Sequence, residues 1–266
     1  QLQHLPERLS RAIPATMTAI QDMTVIPATM TATQDMTMIP VMVIRAMMIE
    51  KNPIHFRHEL KHLITPAEDR IISERLGRLF RRDSHAGPDG TYRVNSLYFD
   101  TPGDKALLQK ISGVDQREKF RIRYYGTDRR FLRLEKKIKK GGLCSKRSAR
   151  LTYEQTESIL NGNIRFLLES GDALMIELYS KMKGELLQPR TIVSYEREAY
   201  IFTPGNVRVT LDRKLSTCTS PAVFLNSAAH RLEPEPGSTI LEVKYDAFLP
   251  DIVRMAVQVP DRKTGG

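Results

Sequence analysis

Residues 119–139 read KFRIRYYGTDRRFLRLEKKIK. Lys119, Arg121 and Arg123 alternate with Phe120, Ile122 and Tyr124. Past Gly126–Arg130, Arg133, Glu135, Lys137 and Lys139 alternate with Leu132 and Leu134 and, further on, Ile138. Alternation with a period of two belongs to a strand, because successive side chains point to opposite faces. The stretch therefore predicts two antiparallel strands, Lys119–Tyr125 and Phe131–Lys139, joined by a turn at Gly126–Arg130. Each strand presents one apolar face and one face that is mostly basic.

The same pattern recurs on both sides of this hairpin. Arg57, Glu59 and Lys61 alternate with Phe56 and Leu60. Arg208, Thr210 and Asp212 alternate with Val207, Val209 and Leu211. Glu242 and Lys244 alternate with Leu241, Val243 and Tyr245. Tyr92–Phe99 reads as a further strand, and Thr191–Ile201 with Val207–Leu211 as a hairpin around Thr203–Asn206. Thr65-Pro66-Ala67-Glu68 has the form of a helix start: an N-cap, Pro at the first helical position and an acid at the third. Ile71, Ile72, Leu76, Leu79 and Phe80 follow it at helical spacing. Thr152–Leu160, Asp172–Met182 and Pro250–Val257 also read as helices. Many strands with a few inserted helices predict an α+β domain built on an antiparallel sheet.

On a single strand, a charged face is ordinarily a wet face, since one-sided antiparallel sheets look like this. Five such strands point further. In a closed β-barrel with flanking helices their charged faces would share one lumen, and like charges so close repel by several kcal/mol unless an anion lies among them. A polyanion with a divalent cation meets that requirement: Arg and Lys clamp phosphates, and a carboxylate such as Glu242 holds the metal. Composition agrees. The chain has 266 residues, with 41 Lys and Arg against 31 Asp and Glu, a net charge of +10, which favours an anionic partner. Two Cys are too few for a disulfide framework or a Cys-based zinc site and suit a reducing, cytoplasmic setting.

Residues 1–50 differ from the rest. They hold eight of the eleven Met and two copies of a 13-residue unit, Ile13–Ile26 and Ile26–Ile39, punctuated by Pro14, Pro27 and Pro40. Two copies are fewer than a solenoid needs, so this block reads as a low-complexity, disordered extension, leaving residues 54–266 as the folded domain. Val41–Ile49 is apolar but carries Arg45 and is far shorter than the ~20 residues of a membrane span. No signal-peptide pattern and no transmembrane segment is read.

The strings FRHELK (56–61), SLYFDT (96–101), KFRIRYY (119–125), LEKK (134–137), YEREAY (195–200), VRVTLD (207–212) and LEVKY (241–245) together resemble the VTC domain. That domain is the polyphosphate polymerase module of the vacuolar transporter chaperone family, related to the CYTH-like triphosphate tunnel metalloenzymes. The resemblance runs from about residue 54 to the end, in family order, and fits a stand-alone bacterial-type member. It implies a tunnel of antiparallel strands that transfers the γ-phosphate of ATP to inorganic polyphosphate with Mn²⁺ or Mg²⁺. Lys61, Arg121, Arg123, Lys137, Arg197, Arg208 and Lys244 would contact phosphates. Glu242 would hold the metal, and Glu59 and Glu135 would be secondary metal contacts or partners of the bases. Arg57, Lys119, Arg133 and Lys139 complete the basic faces. Lys146 and Arg147 follow a Gly141-Gly142 loop and would cover a tunnel mouth or form a solvated basic loop.

Family members continue past the last helix into a Ser-Lys-Tyr or Ser-Lys-Phe strand. The sequence ends at Gly266 without one, so the expectation is a tunnel short of its last strand and weak in polymerisation. No SPX module is read either, so coupled membrane translocation is not expected. Two other functions stay open. A hydrolase of the same fold would favour alternating Glu in the first strand, where this chain has Arg57 before Glu59. A non-catalytic polyphosphate- or nucleic-acid-binding module would need only charge. Nucleic acid is disfavoured because Phe120 and Tyr124 alternate away from the basic face, where stacking aromatics are needed.

Overall fold

A computed structural model of the chain describes residues 55–226 and 231–258. The 1–50 block lies outside the described residues. Among the described residues nine strands form one antiparallel sheet: β1 His58–Ile64, β2 Arg81–Arg82, β3 Thr91–Asp100, β4 Arg117–Tyr125, β5 Asp128–Lys140, β6 Leu143–Leu151, β7 Gln188–Phe202, β8 Val207–Cys218 and β9 Thr239–Tyr245. Eight of them run in the order β1-β9-β8-β7-β3-β4-β5-β6, and β2 adds two residues to β7 off that path.

The sheet curls. Its outermost strands, β1 and β6, meet at Arg57 and Cys144, which exchange two backbone hydrogen bonds of 2.9 Å. Side chains confirm the curvature: Lys137 on β5 reaches Glu59 on β1, and Arg208 on β8 reaches Tyr92 on β3. Contacts between strands so far apart in the sheet order require the basic faces to turn inward around a common trough.

The apolar faces turn outward. Six helices lie among the described residues, α1 Pro66–Leu79, α2 Lys105–Ile111, α3 Tyr153–Leu160, α4 Arg165–Glu169, α5 Ala173–Gly184 and α6 Asp251–Val257, and all but α2 contribute to the cores that cover these faces. Two cores result. Leu97, Phe120, Ile122, Tyr124, Leu132 and Leu134 pack with Leu151, Ile159, Leu167 and Leu178 in one. Ile72 and Leu76 of α1 pack with Val209, Leu211, Leu241, Val243 and Val253 in the other. The alternation read from the sequence is therefore an inside–outside pattern, with the apolar side outside the trough.

The expected helix start is present as a reciprocal cap. Thr65 Oγ1 accepts from the Glu68 N–H at 3.3 Å, and Glu68 Oε2 accepts from the Thr65 N–H at 2.7 Å. Other expectations need correction. Lys146 and Arg147 are not in a loop: residues 143–151 form β6, paired along its whole length with β5. Its Ser145-Lys146-Arg147-Ser148 centre hides the strand, because small polar and basic residues mask the alternation that Ala149 and Leu151 complete. The turn before β5 is shorter than expected, since Asp128 already pairs with Tyr125. Helices α2 and α4 have no counterpart in the sequence reading. They are short, and α2 buries no residue, so neither prints a clear apolar stripe.

Candidate functional site

Inside the trough, bases and carboxylates interlock in two clusters. The first forms where β1 lies against β9. Their register sets Lys61 opposite Glu242 and Glu59 opposite Lys244. Lys61 Nζ sits 2.8 Å from Glu242 Oε1 and 3.4 Å from Glu59 Oε1, so one ammonium bridges two buried carboxylates. Lys244 bonds Glu242 at 2.5 Å, and Lys137 bonds Glu59 at 2.5 Å from across the trough. Arg197 from β7 lies 3.7 Å from Glu242 and is held by a two-armed pair to Asp212, at 2.6 and 2.7 Å.

The second cluster centres on Glu135 of β5, which is 1% exposed. Arg121 approaches it at 2.6 Å, Lys146 at 2.9 Å and Arg123 at 4.0 Å. Arg123 also donates to Ser96 Oγ at 3.1 Å and to Tyr195 Oη at 3.0 Å, while Arg121 donates to Tyr98 Oη at 3.0 Å. Arg197 donates to Tyr195 Oη from the other side at 3.3 Å. Tyr195 thus links the two clusters.

This electrostatic setting shifts several groups. Burial opposes charge on Glu135, but Arg121, Arg123 and Lys146 overcome it and hold the carboxyl down at about 2. Burial likewise opposes ionisation of Glu242, yet Lys244, Lys61 and Arg197 keep it well below the usual carboxylate range. Burial would raise Tyr98, but Arg121 and Arg123 bring its phenol down to about 8. Burial pulls Lys244 down to about 8 against the attraction of Glu242 and Glu59. Lys61 is also disfavoured by desolvation, but Glu242 and Glu59 hold it above the ordinary lysine range.

The remaining expected residues divide by face. Arg208 lies farther along the trough, bonded to Asp83 and, at 2.7 Å, to Tyr92 Oη. Lys119 sits near Lys110 and Arg117, and burial with these neighbours lowers it. Lys139 pairs in register with Arg117. Arg133 lies between Arg123 and Arg150. Arg57 turns to the end of β9, with its guanidinium 3.6 Å from Asp246 and bonded to the Asn206 carbonyl at 2.7 Å. Arg147 points to the opposite face, where it meets Glu177 of α5 at 3.3 Å. Tyr98, Tyr195 and Asp212 join the site although the sequence reading did not name them as site residues. Their signal was parity: Tyr195 is two residues from Arg197, and Asp212 continues the Arg208–Thr210 face.

The sequence profile of the VTC domain matches residues 56–263. The chain belongs to the VTC domain family. No curated protein matches it in sequence. Among solved structures it is similar to a candidate adenylate cyclase from Bacillus halodurans, at 12% identity and a TM-score of 0.42, covering 79% of this chain and 95% of that one. It is also similar to a candidate adenylyl cyclase from Hippeastrum whose dominant activity is that of a triphosphatase, at 12% identity and a TM-score of 0.44, covering 76% and 83%. A protein from Pyrococcus horikoshii matches at 14% identity and a TM-score of 0.38, covering 76% and 84%.

In this VTC domain Glu59 and Glu242 are the pair of carboxylates that could hold a hard divalent cation. Glu59 and Glu242 already share a cation, the Lys61 ammonium, and Mg²⁺-type ions are commonly held by one or two carboxylates together with substrate phosphates. Glu135 belongs to the other cluster. Among the described residues no group of three or more His, Cys, Asp or Glu side chains converges as a metal site. None of the described helices is long and apolar enough to cross a membrane.

Proposed function

We propose that this VTC domain is a polyphosphate polymerase-type phosphotransferase that takes ATP and inorganic polyphosphate. The observation that supports the reading is the convergence of Lys61, Arg121, Arg123, Arg197 and Lys244 around buried carboxylates in one trough. Cations packed this densely favour a ligand with several negative charges in series. In the step proposed, a terminal oxygen of the polyphosphate chain attacks the γ-phosphorus of ATP. The bond from that phosphorus to the β–γ bridging oxygen breaks, and its electron pair leaves with ADP.

Arg121 and Arg123, fixed by Glu135, Ser96 and Tyr195, would hold the transferring phosphoryl group. Arg197, locked by Asp212, would hold its neighbour. Lys61 and Lys244 would exchange their bonds to Glu242 for bonds to phosphate oxygens. Glu242, assisted by Glu59, would hold a Mn²⁺ or Mg²⁺ ion, whose charge offsets that on the phosphates when bound. Because the bases are oriented before substrate arrives, little reorganisation is needed as charge shifts toward ADP.

The test is incubation with ATP, Mn²⁺ and a short polyphosphate primer, with separate assays of polyphosphate, ADP and free phosphate. Polyphosphate growing in step with ADP is expected. Free phosphate without chain growth would replace this reading with a hydrolase, and binding without turnover would replace it with a non-catalytic module.

A further inference from the structure

One row of the trough carries bases and no acid. Arg123 on β4 pairs in register with Arg133 on β5, and Arg133 pairs in register with Arg150 on β6. All three project from the face opposite the buried Ile122, Leu134 and Ala149. Like charges directly opposite on neighbouring strands are destabilising, and the adjacent row avoids this by setting Arg121 opposite Glu135. Arg123 is 6% exposed and bonded to Ser96 and Tyr195. Arg133 and Arg150 are exposed, and among the described residues neither forms an ion pair with a carboxylate. Arg150 instead packs over the Phe131 ring, 5.0 Å from its centroid, and reaches the Arg130 carbonyl at 3.4 Å.

The row therefore runs from the buried floor of the trough to the outer strand of the sheet. At the usual strand spacing Arg150 lies about 10 Å from Arg123. The inner clusters already supply cations for a compact triphosphate. Arg133 and Arg150, two further guanidinium groups without a carboxylate partner in line with Arg123, are suited to a longer polyanion.

We propose that Arg133 and Arg150 form an outer subsite that binds the continuing chain of an extended polyphosphate, with Arg123 at its inner end. The proposal rests on the reading of the trough as a phosphate site and adds to it a preference for chain length. Nucleic acid is the poorer occupant, because base stacking needs a free ring face and the Arg150 guanidinium already lies over one face of Phe131.

The experiment compares binding of tripolyphosphate, of a long-chain polyphosphate and of a single-stranded oligonucleotide to three proteins. These are the unaltered chain, the double variant Arg133→Ser/Arg150→Ser, and a charge control, Arg78→Ser/Arg254→Ser, on the outer helices. Both pairs are exposed, and thermal melting confirms folding. The unaltered chain is expected to prefer the long chain. The Arg133/Arg150 variant is expected to lose about tenfold in long-chain affinity with tripolyphosphate binding changed less than twofold, and the control to keep both. Equal losses for the two phosphates, an equal loss in the control, or a larger loss for the oligonucleotide would overturn the subsite. If the unaltered chain binds neither phosphate, the trough reading itself fails, a result distinct from unaltered and variant proteins binding alike.

Discussion

Glu135 shows how a single buried carboxylate organises three bases. Its folded-state value near 2 lies below the 4.5 of an unfolded glutamate. It therefore contributes stability that is fully present above about pH 4.5 and is lost as pH falls toward 2. The linkage amounts to roughly 3 kcal/mol. Glu135→Gln is expected to destabilise the fold by about that amount at pH 7. The gap between variant and unaltered protein should shrink as pH is lowered through this window, as read by urea denaturation at several pH values. A constant gap would show that the carboxylate's charge is not what holds Arg121, Arg123 and Lys146. Glu242→Gln tests chemistry instead. It should lower metal-dependent turnover by about two orders of magnitude, while polyphosphate binding to Arg121 and Arg123 persists; unchanged turnover would remove Glu242 from the site.

At the scale of elements, the strands are positioned by a few local devices. The β7–β8 connection turns at Gly205, whose φ of +71° places it in the left-handed region. A Cβ there would lie 2.6 Å from the Phe248 carbonyl oxygen. Gly205→Ala combines backbone strain with a clash against main chain and should cost about 1–3 kcal/mol. The effect should appear as a lower melting temperature, and an unchanged melt would mean that the loop relaxes freely. Thr65→Ala removes one half of the reciprocal cap on α1 and should cost about 1 kcal/mol. Because Ile72 and Leu76 of α1 cover β8 and β9, fraying there would loosen the strands that carry Arg208 and Glu242. Serine at position 65 should restore most of the loss.

For the molecule as a whole, the trough gathers bases from β1, β4, β5, β6, β7, β8 and β9, and its field acts on any polyanion approaching it. Screening shortens that field from about 10 Å at 0.1 M salt to about 3 Å at 1 M. Polyphosphate affinity should therefore fall steadily as salt is raised in an anisotropy titration. The exposed Arg133 and Arg150 should account for more of this dependence than the buried Arg197, which is shielded by Asp212. Salt-independent binding would place the ligand outside the trough.

Period-two alternation in residues 119–139 and around Glu59, Arg208 and Glu242 was enough to indicate the strands and their two faces, because Arg121, Arg123, Arg208 and Glu242 are each flanked by apolar residues that must be buried. The helix start at Thr65 was legible for the same local reason: a cap depends on residues three apart. Alternation could also place Glu59, Lys61, Glu242 and Lys244 on inward faces. It carries no information on which strands become neighbours, and that was decided by tertiary structure. Pairing of β1 with β9 made Lys61 a bridge between Glu59 and Glu242, and curling brought Lys137 to Glu59 and Tyr195 between Arg123 and Arg197. Arg147 shows the limit most plainly. Within a basic, weakly alternating run its neighbours do not reveal its face, and only the packing of β6 against α5 directed it to Glu177 and away from the trough.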